Sequence, residues 1–131
     1  MPYVTDTHSL VWHLTSDPRL SAAAKKLFKK VDESQDVIYI PCIIFFELSY
    51  LIEKKKIMAS FDIFVDLLST SKNYRVEPMC LPIIEKARQI SRISVKDPWD
   101  RLIAATSIHL NLPLITRDRS LGKLGIKTIK S

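Results

Sequence analysis

Val37-Ile38-Tyr39-Ile40, closed by Pro41, is the stretch on which the fold turns. Its β-prone residues show no polar alternation, the composition of a strand covered on both faces inside a parallel sheet. Upstream, Leu27, Phe28 and Val31 form an apolar stripe opposite Lys25, Lys26, Lys29 and Lys30, which predicts an amphipathic helix over Ser21 to Val31. Nearer the N-terminus, Tyr3-Val4-Thr5 reads as a short strand. It passes at Asp6 directly into a helical pattern through Leu10, Val11 and Leu14, ended by Asp17-Pro18.

Downstream of Pro41, helices are expected over Cys42 to Lys55 and about Ser60 to Ser71, then a strand over Tyr74 to Glu77 and a helix over Leu81 to Arg92. Asp97-Pro98 opens a further helix through Ala104, Ala105 and Ile108, Leu114-Ile115-Thr116 is a buried strand, and Ile126 to Ile129 an edge strand. Strands alternating with helices predict a three-layer α/β/α sandwich with a mainly parallel central sheet. One domain over residues 1–131 accommodates all of it, with no linker, low-complexity tract or internal repeat.

The balance of 47% hydrophobic and 26% charged residues is that of a globular protein with a packed core. The longest apolar stretch, Cys42 to Ile52, is broken by Glu47 and Ser49 and is shorter than the ~20 residues of a membrane-spanning helix. Asp6 and His8 sit where a signal peptide would carry its apolar core, so a cytoplasmic location and no membrane association are expected. Cys42 and Cys80 provide neither a disulfide framework nor paired zinc-ligand spacing, and are expected as small core residues. Twenty Lys and Arg against 14 acids give a net charge of +6, which attracts an anionic polymer before any specific contact forms.

In parallel α/β sheets ligands bind beyond the carboxyl ends of the strands. Asp6 lies at such an end, and Asp118 two residues beyond Thr116 at another, so the two acids share a rim. Each can equally be a helix N-cap. Glu47 is flanked by Ile43, Ile44, Phe45, Phe46, Leu48, Leu51 and Ile52, which predicts a helix buried all round. A buried carboxylate needs a partner, and a lysine or a metal ion would serve. In Asp97-Pro98-Trp99-Asp100, Asp97 reads as N-cap and Pro98 as the first helical residue. Asp100 in the first turn suits the helix dipole, which leaves metal binding open.

Val4-Thr5-Asp6-Thr7-His8, Phe46-Glu47, the run from Asp97 to Thr106 and Leu112-Pro113-Leu114-Ile115-Thr116-Arg117-Asp118 together resemble the PIN domain family, most closely its VapC-type toxins. The similarity spans nearly the whole chain in the expected order. It implies that Asp6, Glu47, Asp100 and Asp118 form an acidic quartet binding magnesium or manganese, with Thr116 as a polar neighbour and Asp97 either assisting or only capping. It also implies a type II toxin-antitoxin ribonuclease that cleaves RNA internally, leaving a 5′-phosphate and a 3′-hydroxyl, pairs as a homodimer and is restrained by a small antitoxin. The sequence departs from many relatives at Pro41-Cys42, where a serine or threonine is common, and at Val95-Lys96, where a histidine is common.

Hard oxygen ligands suit magnesium and manganese, and the three histidines form no zinc cluster. Arg101 and Arg117, with Arg119, are the basic residues nearest the quartet in sequence and are candidates for RNA backbone contacts; Arg101 could instead pair with a pocket acid. His8 and His13 are expected to pack or cap, and Trp12 and Trp99 to sit in the core. Two glycines cannot build a phosphate loop, and neither a nucleophile elbow nor HExxH is present. The competing readings are a non-catalytic PIN module that binds RNA or protein, a DNA nuclease, and a PIN ribonuclease of ordinary RNA processing.

Overall fold

Five strands form one all-parallel sheet in the computed structural model, which describes residues 1–131. They are β1 (Tyr3–Thr5), β2 (Ile38–Pro41), β3 (Tyr74–Glu77), β4 (Leu114–Thr116) and β5 (Thr128–Lys130), ordered β3-β2-β1-β4-β5. Ile38 and Ile40 are fully buried and Tyr39 half-buried, as the uninterrupted apolar run requires of a strand covered on both faces. Pro41 is the last residue of β2 and pairs in register with Glu77 of β3. The last strand is also parallel, Leu114 facing Thr128 and Thr116 facing Lys130.

Six α-helices connect the strands: α1 (Thr7–Leu14), α2 (Ala22–Asp32), α3 (Ile43–Glu53), α4 (Phe61–Thr70), α5 (Leu81–Gln89) and α6 (Pro98–Leu110). From β1 the chain steps outward to β2 and β3, then returns across β1 to β4 and β5. Right-handed crossovers therefore put α1 to α4 on one face and α5 and α6 on the other. In keeping with this, α1 packs on α2, α3 and β4, while α6 lies against β1 and β2 with α5 beside it. Ala104 and Ala105, fully buried, allow the close approach of α6 to the sheet. The direction of winding reverses between β1 and β4. Beyond the carboxyl ends of the strands at such a switch point, parallel α/β sheets place their ligand crevice.

The N-termini of α1, α2, α4 and α6 are capped by Asp6, Ser21, Ser60 and Asp97, whose side chains accept N–H bonds that would otherwise be unsatisfied. Asn111, at φ 53°, ends α6 in the left-handed region.

Two expectations are corrected. The helix carrying Glu47 is not buried all round: only Ile44 and Leu48 of α3 are buried, while Phe46 and Tyr50 are 59% and 50% exposed. Neighbours α1, α4 and α6 cover one side of it and leave the other open. Cys42 is exposed just before α3, and only Cys80 packs, half-buried, against the core.

Candidate active site

Asp6 follows β1 at this switch point and is 9% exposed. Its Oδ1 accepts the Ser9 N–H at 2.8 Å, and its Oδ2 accepts the Thr116 hydroxyl at 2.6 Å. The capping reading and the shared-rim reading are thus both correct, one oxygen for each. Thr116, at the end of β4, turns the same hydroxyl oxygen to the Asp118 N–H at 3.1 Å. The Asp118 carboxylate accepts the Ser120 N–H at 2.9 Å and the Ser120 hydroxyl at 2.7 Å, capping a short 3-10 helix, Arg119–Leu124. One threonine hydroxyl therefore ties together acids that the chain delivers from two neighbouring strands.

Glu47 enters from α3, and its Oε1 accepts the buried Thr7 hydroxyl at 2.6 Å. No salt bridge reaches it, so the lysine partner considered from sequence is replaced by a threonine. Asp97 caps α6 through the Trp99 N–H at 2.8 Å. Asp100, one turn on, has no hydrogen bond to steady its charge. Burial pushes its carboxyl up to about 7, aided by repulsion from Asp97, Glu47, Asp6 and Asp118. Asp97, Glu47, Asp6 and Asp118 thus all lie within electrostatic reach of Asp100.

No three His, Cys, Asp or Glu side chains are placed so that a single ion could be held between them. Three of the carboxylates are turned onto the donors just described. Arg101 pairs with no acid, and its Nε is buried without a partner. Beside Glu47, Phe46, Tyr50 and Trp99 line a small apolar cleft of about 290 Å³, with the Phe46 and Trp99 rings 5.7 Å apart. Trp12 is a core residue, as expected, whereas Trp99 is half-buried on this cleft. His13 packs on Phe28 and pairs with Asp32, and His8 lies edge-on to Trp12. Sequence reasoning passed over Thr7 and Ser120, although each adjoins or nearly adjoins a quoted acid; no periodicity marks a hydroxyl that steadies a carboxylate.

The acids thus gather at the switch point of an all-parallel α/β domain, the place where such sheets bind ligands. The chain belongs to the PIN domain family, whose model matches residues 3–127. It is 29% identical over 116 residues to Ribonuclease VapC22 of Mycobacterium tuberculosis, across 88% of this chain and 86% of that protein. Solved structures share the fold. VapBC2 from Rickettsia felis bound to a promoter DNA fragment aligns with TM-score 0.71 at 20% identity, over 98% of each chain. A toxin-antitoxin complex from Klebsiella pneumoniae gives 0.69 at 21%, over 98% and 96%. FitAcB from Neisseria gonorrhoeae gives 0.68 at 18%, also over 98% and 96%.

Proposed function

We propose that this protein is a divalent-metal-dependent endoribonuclease and the toxin of a toxin-antitoxin pair, with Asp6, Glu47, Asp100 and Asp118 as its metal-holding, catalytic residues. The observation that carries the reading is the Thr116 hydroxyl joining Asp6 to Asp118 at the β1/β4 crevice of a PIN domain. The similarity to Ribonuclease VapC22 supplies the substrate class.

The donor set fits magnesium or manganese, being carboxylate oxygens without a histidine or cysteine cluster. The mutual repulsion felt at Asp100 is what a cation would relieve. A divalent cation held by the quartet would supply an activated water and offset charge on the phosphodiester. Thr116 fixes the orientation of the Asp6 carboxylate, Ser120 that of Asp118 and Thr7 that of Glu47. Arg101, with its unpartnered Nε, and Arg117 are the substrate contacts in this reading, whereas Thr116, buried and with its hydroxyl committed to Asp6 and Asp118, positions the acids instead of touching substrate.

Cleavage of a labelled RNA tests it. Magnesium or manganese should support cleavage, a chelator should stop it, and Asp6→Asn or Asp118→Asn should be inactive yet folded. Activity retained in either variant sinks the assignment.

The partner proposed is a small antitoxin, supported by the antitoxin-bound state of the fold's solved relatives and by the apolar cleft beside Glu47. Apolar antitoxin side chains would fill the cleft, and a basic one would pair with the acids. Expression of the chain alone should arrest growth, and co-expression of an adjacent small reading frame should restore it. A wild type as harmless as Asp6→Asn removes the toxin reading and leaves a ribonuclease of ordinary RNA processing.

A further inference from the structure

Another cavity, of about 400 Å³, is lined by Trp12, Arg19, Arg117, Arg119, Lys130 and Ser131. Four of these six residues are cations and none has an acidic side chain. The guanidinium carbons of Arg19 and Arg117 each stand 5.0 Å from the centre of the buried Trp12 ring, which holds both over one aromatic surface. Arg19 is neutralised by Asp17, whose carboxylate it meets at 2.7 Å. Arg117, Arg119 and Lys130 take part in no salt bridge. Ser131 adds a buried hydroxyl, 5% exposed as a residue, whose oxygen has no hydrogen-bond partner.

We propose that this cavity binds a non-scissile phosphate of the RNA backbone. The inference rests on the nuclease reading for its ligand, and it deepens that reading. Open guanidinium forks and a free hydroxyl match the oxygens of a phosphate better than any neutral group. Arg117 stands between Thr116 and Asp118, and Trp12 is six residues along α1 from Asp6, a span of ~9 Å at helical rise. The cavity is therefore within reach of a strand lying in the crevice. A polyanion approaching the quartet is repelled by it, and cations beside the acids offset that repulsion.

The test is binding of a short fluorescein-labelled single-stranded RNA, followed by anisotropy across a salt series, with chelator present so that nothing is cut. Arg119→Gln/Lys130→Gln is compared with Lys26→Gln/Lys30→Gln, which removes the same charge from the exposed face of α2. All four side chains are exposed, so both variants should fold; single Arg117→Gln provides a second probe of the cavity. The cavity variants should bind about tenfold more weakly at low salt, with the slope of log affinity against log salt reduced by about 0.7 for each phosphate no longer neutralised. The α2 variant should stay near wild type. Equal weakening by both sets, wild-type binding by the cavity variants, or no binding by the wild type overturns the proposal. Binding as expected in a protein that never cuts RNA with magnesium or manganese retains the cavity and removes the nuclease reading. Cleavage with no difference between the variant sets does the reverse.

Discussion

The Thr116 hydroxyl donates to Asp6 Oδ2 at 2.6 Å and accepts the Asp118 N–H at 3.1 Å, so one side chain sets the positions of two acids 112 residues apart in sequence. Thr116→Val keeps the shape and removes both bonds. A buried carboxylate oxygen then loses its donor, which should cost about 1–3 kcal/mol of stability. Under the proposed function, cleavage should fall about 10- to 100-fold, with the loss largest at low magnesium, because the change acts on the orientation of the acids proposed to hold the metal. Thr116→Ser should recover most of both. Melting curves and a magnesium titration of cleavage would check this, and a Thr116→Val protein as active as wild type at low magnesium contradicts it.

The same crevice should govern pH-dependent stability through Asp100, whose carboxyl rises from 3.8 to about 7 by burial and by repulsion from Asp97, Glu47, Asp6 and Asp118. Between those values the native state keeps a proton that the unfolded chain has released. Stability from this group is therefore greatest at low pH and is lost as pH rises through the folded value. Asp100 is only partly buried, so solvent screening reduces the effect to about 1–2 kcal/mol. Asp100→Asn should remove that decline and, without added metal, should be more stable than wild type above neutral pH. Urea unfolding of both proteins across this pH range reads the difference, and an unchanged pH profile in the variant excludes the mechanism.

How far the sequence disclosed these arrangements depends on the kind of signal. Strands β2 and β4 were legible because a buried parallel strand needs an unbroken apolar run, and Val37 to Ile40 and Leu114 to Thr116 supply one, whereas β3 has no such run. Asp6 and Asp118 could be placed on one rim because each ends a strand. Local pattern failed at α3, where apolar residues on every face were read as burial but Phe46 and Tyr50 face outward; period reports apolarity, not which neighbour covers it. Nor does any local pattern mark Arg19, which reaches Trp12 through the turn around Asp17 and Pro18. Cross-chain partnerships such as Thr7 with Glu47 leave no periodic trace.

Away from the site, Asp32 at the end of α2 accepts the Tyr74 hydroxyl at 2.6 Å and pairs with His13 at 3.0 Å, joining α1, α2 and the start of β3. Burial, then the Asp32 hydrogen bond and charge, raise the Tyr74 hydroxyl above its ordinary range, so it remains a donor at any physiological pH. Tyr74→Phe should lower stability by about 1.5–3 kcal/mol, the range for a hydrogen bond to a charged group. RNA cleavage per folded molecule should be unchanged, since none of the quartet is touched. Chemical denaturation with a parallel cleavage assay separates the effects, and a stable but inactive variant would show that the network reaches the crevice.

Self-association is expected through α4. Ile63 and Leu67 lie one turn apart on this helix and are 65% and 54% exposed, while Phe64 and Leu68 beside them are buried in the core. The outward pair therefore contributes nothing to the core, yet it exposes apolar side chains that water disfavours. We expect a homodimer in which this side of α4 meets its symmetry mate, since a twofold contact lets one apolar strip cover itself. Leu67→Glu places like charges across such a contact and leaves the core intact. Light scattering at micromolar concentration should give a dimer for wild type and a monomer for Leu67→Glu, with no loss of secondary structure. A wild type that is monomeric at that concentration refutes the arrangement, and a dimeric Leu67→Glu protein moves the interface off this strip.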